Sequence, residues 1–222
     1  MPHKAWVLAP QCGRGAAADR DRLIECLACL HPTCRPGNAK AGPDGRSTCL
    51  VTQPNGRDVT DEDVVRAIGE LSRFDGRRLF WLVTSVTQGP LPSQRFLKTD
   101  GLKSEISVDA LWMALNDAAA ARDKEPLVAI VDVCHAAPPK HLELHEQLVV
   151  VASSMEDELA FADDGGGWLT QRILDHLFDG ATGTITVADL DAALAKRRDA
   201  DDNGLQRPVV FPGRHKTLPL NL

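Results

Sequence analysis

The stretch Leu127-Val-Ala-Ile-Val-Asp132-Val-Cys134-His135-Ala-Ala-Pro-Pro139 decides how this chain is read. Its uninterrupted apolar start is what a strand needs when both of its faces are covered, as in a parallel sheet. A carboxylate, a thiol and an imidazole follow, and then two prolines that end any regular element. In an open α/β sheet the ligand crevice lies beyond the carboxyl ends of the strands, so Asp132 and Cys134 emerge where chemistry is done. A structural cysteine fits the same spacing, because free cysteine is among the most buried residue types.

Working outward, Arg78-Leu-Phe-Trp-Leu-Val83 and Gln147-Leu-Val-Val-Val-Ala152 are two more runs of the same kind, and Ala5-Trp-Val-Leu-Ala9 and Thr48-Cys-Leu-Val-Thr52 are shorter ones. Helical spacing of apolar residues appears between them: Leu23, Ile24, Leu27 and Leu30 within 16–30, then Val64, Ile68 and Leu71 after the capping pair Thr60 and Asp63. Leu111, Trp112 and Leu115 mark a helix over 108–120, Trp168–Phe178 another, and Val187–Arg197 a last one introduced by Thr186. A short strand-like piece lies near Phe96-Leu97, after a Pro-rich loop over 88–93. Buried strands alternating with amphipathic helices predict an α/β sandwich with a mainly parallel central sheet flanked by helices. No linker or repeat divides the chain, so residues 1–222 are read as a single domain.

Composition removes several function classes. With 43% hydrophobic and 25% charged residues and no apolar run of the ~20 residues that span a bilayer, the chain reads as soluble, with no membrane partner. A net charge of -6 leaves no basic excess to neutralise phosphates, so no nucleic acid is expected. Nothing at Met1-Pro-His-Lys-Ala-Trp6 resembles a signal segment, and the six cysteines then belong to a reducing, cytoplasmic setting rather than a disulfide framework.

Around Cys134 the sequence resembles the caspase-like cysteine peptidases, more on their metacaspase and paracaspase side. In that family a strand ends in Asp-x-Cys-(His or Arg)-(Ser or Ala)-Gly, and Asp132-Val-Cys134-His135-Ala136 stands in the pattern, with Ala137 in place of the usual Gly. Val149-Val-Val-Ala-Ser-Ser154, Glu158-Leu-Ala160 and Gly167-Trp-Leu-Thr170 are similar to the next strand, its loop and the start of the next helix. Gly15-Ala-Ala-Ala-Asp19 looks like the first loop and helix, and Gln206-Arg-Pro208 resembles a recurring Gln-x-Pro near the end. The resemblance implies a caspase-like three-layer sandwich with Cys134 as nucleophile. It also implies a pocket lined by Asp19, Thr84 and Asp132, whose carboxylates suit an Arg or Lys side chain.

One element of that pattern is missing. The Ser-Gly-His-Gly-like turn of the family is replaced by Thr84-Ser85-Val86-Thr87, which puts Val86 at the place of the catalytic histidine. An imidazole within reach both lowers a thiol pKa and later protonates the leaving amine, and valine does neither. His135 adjoins the thiol but on alternating strand geometry points to the other face, and nothing aims His3, His141 or His145 at it. The leading expectation is a caspase-fold pseudopeptidase: a regulatory module docking a protein or peptide with a basic residue, forming a homodimer, or pairing with an active relative. The alternatives are an active cysteine endopeptidase cutting after Arg or Lys with a displaced base, and a flavodoxin-like protein binding a small ligand at the sheet's switch point.

Metal chemistry has thin support. Cys26 and Cys29 fall in the predicted helix, and Cys34 gives them no second pair of zinc-ligand spacing. Asp199-Ala-Asp201-Asp-Asn203-Gly204 matches half of a calcium loop, but its twelfth position is Val210 rather than a bidentate Glu. No metal site and no cofactor are assigned. Gly165-Gly166-Gly167 lacks the Lys of a phosphate loop and is expected to loosen a loop at the rim of the cleft.

Overall fold

The computed structural model describes residues 3–8, 49–52, 59–91, 94–99, 102–160, 162–163, 166–178, 186–200 and 206–218. Its centre is a six-stranded sheet built from β1 (His3–Leu8), β2 (Cys49–Thr52), β3 (Arg77–Val83), β7 (Leu127–Asp132), β8 (Leu148–Ala152) and β11 (Val209–Phe211), in the order β11-β8-β7-β3-β1-β2. All neighbours run parallel except β11, which pairs antiparallel with β8 at the edge. The uninterrupted apolar runs lie inside: every residue of β7 and of β8 is buried.

Successive residues along each central strand feed two separate cores, as the two-residue period of a strand requires. Trp6, Leu8, Phe80, Leu82, Ala129, Val131 and Val150 face α1 (Asp61–Arg73) and α2 (Val108–Ala120), which contribute Val64, Ile68, Leu71, Leu111, Trp112 and Leu115. Ala5, Val7, Trp81, Val83, Val128, Ile130, Val149 and Val151 face α3 (Trp168–Phe178) and α4 (Val187–Ala200), which contribute Leu169, Ile173, Leu174, Val187, Leu190 and Leu194. The result is a three-layer α/β/α sandwich, as expected from the sequence.

Two local devices fix the helices. Thr60 and Asp63 form the reciprocal capping box read from the sequence, with Asp63 N–H donating to the Thr60 hydroxyl at 3.3 Å and Thr60 N–H donating to the Asp63 carboxylate at 3.0 Å. At the other end of α1 and α2, the buried Arg78 donates to the carbonyls of Leu71 in α1 at 3.5 Å and of Ala118 in α2 at 2.7 Å, and to that of Glu125 in the loop beyond, placing its charge at the negative ends of both helices.

A second, three-stranded antiparallel sheet was not expected. It comprises β4 (Val86–Gln88), β5 (Arg95–Thr99) and β6 (Leu102–Ser107), where the sequence marked only the piece near Phe96. A two-stranded hairpin of β9 (Ala162–Asp163) and β10 (Gly166–Gly167) precedes α3. The predicted helix at 16–30 with Cys26, Cys29 and the nearby Cys34 lies outside the described residues, as do residues 201–204 of the half calcium loop, whose first two positions, Asp199 and Ala200, end α4.

Candidate functional site

The two strand tips that the sequence placed side by side do meet. Val83, the last residue of β3, is in register with Asp132, the last of β7, and Thr84 N–H donates to the Asp132 carbonyl at 3.2 Å. Cys134 follows in a turn at the carboxyl end of the sheet, as a half-buried free thiol. The turn is braced on several sides. Buried Ser153 accepts from Val133 N–H at 3.0 Å and donates to its carbonyl at 2.6 Å, and buried Ser154 accepts from Ala136 N–H at 3.2 Å. From α2, the Trp112 indole donates to the Ala136 carbonyl at 2.7 Å. These bonds satisfy a peptide turn that would otherwise bury unpaired polar groups.

The sulfur itself faces the loop after β8. Ala160 N–H donates to Sγ at 3.4 Å, and the Ala160 carbonyl accepts from the thiol at 3.6 Å. Among the described residues no imidazole is a hydrogen-bond partner of this sulfur. His135 is turned away, as expected, but for a different reason than strand alternation: it sits in the turn with φ +57, a conformation rare for a side-chain-bearing residue, and its Nδ1 meets the Glu156 carbonyl at 3.0 Å. His145 Nδ1 accepts from Gln147 N–H at 3.3 Å, and His215 Nε2 meets Gln147 Oε1 at 2.7 Å, so both are engaged elsewhere. The side chain of His3 lies outside the described residues.

Val86 opens β4 opposite Leu97, and its side chain packs against the core shared with α1 and α2. Thr84 is committed locally, its hydroxyl donating to the Lys98 carbonyl at 2.6 Å. Asp19 lies outside the described residues. Asp132 is buried at 3% exposure, and its Oδ2 accepts from Thr170 N–H at 2.9 Å, in the first turn of α3. Desolvation pushes its carboxyl up to about 6, against the opposing effect of the Thr170 amide and of the Thr170 and Ser153 hydroxyls. Asp132 thus joins the tip of β7 to the positive end of α3.

Gly167, expected to loosen a rim loop, has a different role. A Cβ at this position would overlap Oδ2 of Asp132, so glycine is what lets the β10–α3 junction close over the carboxylate. Sequence reasoning also left Glu158 and Arg207 without individual roles, although both stand in quoted motifs. The Glu158 carboxylate, with its side chain 11% exposed, pairs with the Arg207 guanidinium and accepts from the backbone N–H of Arg207 and of Met155, each at 3.1 Å. No group of residues with metal-ligating side chains gathers among the described residues. No helix among them is long and apolar enough to cross a membrane.

No protein-family model matches the chain, and no curated protein matches it. Solved structures do. A protein from Geobacter sulfurreducens aligns with a TM-score of 0.60 at 14% identity over 97% of this chain and 96% of its own. Caspase-1 from Spodoptera frugiperda aligns with a TM-score of 0.58 at 14% identity, over 95% of this chain and 85% of its own. The fold is therefore caspase-like, a mainly parallel sheet flanked by helices, as the motifs around Cys134 imply.

Proposed function

We propose that the chain is a caspase-fold pseudopeptidase of the metacaspase-like kind, a regulatory or peptide-binding module that keeps the nucleophile position at Cys134 and has lost the general base. The observation that carries this reading is the company of the thiol: the backbone amide and carbonyl of Ala160, with aliphatic Val86 in the segment that leaves the neighbouring strand tip. A peptide group neither takes a proton from a thiol at neutral pH nor returns one to a leaving amine, so among the described residues the sulfur has no hydrogen-bond partner suited to acyl transfer. One missing general base costs about 10²–10⁴-fold in rate. The partner is a peptide bearing Arg or Lys. Asp132, ionised above about pH 6, puts negative charge at the strand tip, and Asp19 and Thr84 complete the pocket by resemblance to the family.

The test is incubation with fluorogenic peptides ending in Arg or Lys, with and without calcium, alongside polarisation binding of uncleavable versions. Binding without turnover is expected. Turnover that disappears in Cys134→Ala would replace this reading with that of an active endopeptidase.

A further inference from the structure

We propose that residues 155–160 form a strap over Cys134 whose closure is held by the Glu158–Arg207 ion pair, so that releasing this latch uncovers the thiol. The inference concerns access to the site read above as a disarmed nucleophile, and it stands on geometry that does not depend on whether that site binds a peptide.

Glu158 is the hub of the strap, and it works through both its backbone and its side chain. Its carbonyl accepts from His135 N–H at 2.7 Å, which pins the strap to the residue next to the thiol. Two residues on, Ala160 makes both of its backbone contacts with the sulfur. Two residues before, the Glu156 carbonyl meets the His135 ring. The strap therefore touches the thiol turn at three successive points, each a main-chain group.

Main-chain contacts of this sort hold only while the loop keeps its curvature, and the Glu158 carboxylate sets that curvature. One oxygen takes Met155 N–H, closing the turn that also carries Glu158 N–H to the Met155 carbonyl at 3.2 Å. The same carboxylate takes the guanidinium and the backbone N–H of Arg207. Arg207 belongs to the segment leading into β11, and its neighbour Gln206 donates to the Ser153 carbonyl at 2.8 Å. A strap on one side of the thiol is thus tied to the sheet edge by a charge-assisted pair, the strongest kind of hydrogen bond available on a partly exposed surface. The pairing partners differ in exposure, with Arg207 51% exposed and Glu158 11%, so the latch opens from the solvent side by displacement of the arginine.

Thiol accessibility reads this directly. The tryptic peptide Glu125–Lys140 contains Cys134 as its only cysteine, so pulsed alkylation by iodoacetamide followed by peptide mapping reports Cys134 apart from the other five. Arg207→Gln and Glu158→Gln are each expected to speed Cys134 alkylation about three- to tenfold, whereas Arg207→Lys keeps the charge and stays near the wild-type rate. Molar salt is expected to speed the wild type and leave Arg207→Gln unchanged. Circular dichroism and thermal melts confirm that each variant is folded before its rate is read. An unchanged rate in folded Arg207→Gln, or Arg207→Lys accelerating as much as Arg207→Gln, overturns the latch. The alkylation rates need no substrate, so their outcome is independent of whether basic peptides bind or are cut.

Discussion

Asp132 Oδ2 accepts the backbone N–H of Thr170 at 2.9 Å, which makes one carboxylate both the last side chain of β7 and the counter-charge at the start of α3. This bond sets the height of the helix above the strand tip from which the thiol turn departs. Substitutions around it test both the fold and the functional reading.

Replacing the aliphatic group at Val86, the position proposed above to have lost a base, is the first. Val86→His is expected to raise cleavage of Arg- or Lys-terminated peptides at least tenfold or so, since a positioned base is worth about 10²–10⁴-fold. The gain should vanish in the Val86→His, Cys134→Ala double variant. Because Val86 packs against the core, the same change should cost about 1 kcal/mol of stability, read from a urea titration.

Gly167→Ala should drive a methyl group into the Asp132 carboxylate. Overpacking of this kind costs about 1–3 kcal/mol, here expected as a lowered melting temperature. Pairing it with Asp132→Ala, which removes the obstructing carboxylate, should cost less than the sum of the single changes, and strict additivity would deny the contact.

Asp132→Asn tests the buried charge through pH. The folded-state pKa is raised from 3.8 to about 6, so the folded protein holds this proton more tightly than the unfolded chain does. The stability tied to that proton is fully present below about pH 4 and is lost as pH rises through about 6, a swing of roughly 3 kcal/mol. Denaturant titrations across this range should show the wild type losing stability relative to Asp132→Asn, which carries no titrating group at this position. Parallel pH profiles for the two proteins would contradict the assignment.

Arg78→Met probes the opposite end of the sheet. The change leaves the buried carbonyl of Ala118 without its donor and removes the cation between two helix ends. The expected loss is about 3–5 kcal/mol, enough to show as a large fall in the urea midpoint. A shift below 1 kcal/mol or so would mean that the helix ends find other donors.

How much of this is visible in the amino-acid order follows from what each residue touches. β7 and β8 are legible because a strand covered on both faces must be apolar throughout, and α1 is legible because Thr60 and Asp63 carry a local cap. β6, Leu102-Lys-Ser-Glu-Ile-Ser107, is not, because its polar residues acquire strand geometry only from pairing with β5. β11 has three residues and depends on β8 far earlier in the chain, so no local pattern announces it. At the site, the aliphatic side chain of Val86 is visible in the sequence, whereas the groups that meet the sulfur are not. They are the peptide atoms of Ala160, and a peptide atom leaves no trace in residue identity. The contact that buries Asp132 leaves one trace in the sequence, the glycine at 167, where a backbone passes close by.

The indole of Trp112, bonded to the Ala136 carbonyl, and that of Trp81, whose Nε1 donates to the Thr170 hydroxyl at 3.3 Å, belong to the cores on opposite faces of the central sheet. Each is buried, and each loses its acceptor if its own neighbour moves away. Two of the four tryptophans thereby serve as native optical reporters of this region. Emission from one follows rearrangement beside α2, emission from the other follows tilting of α3, and variants retaining a single tryptophan separate the two without an added dye.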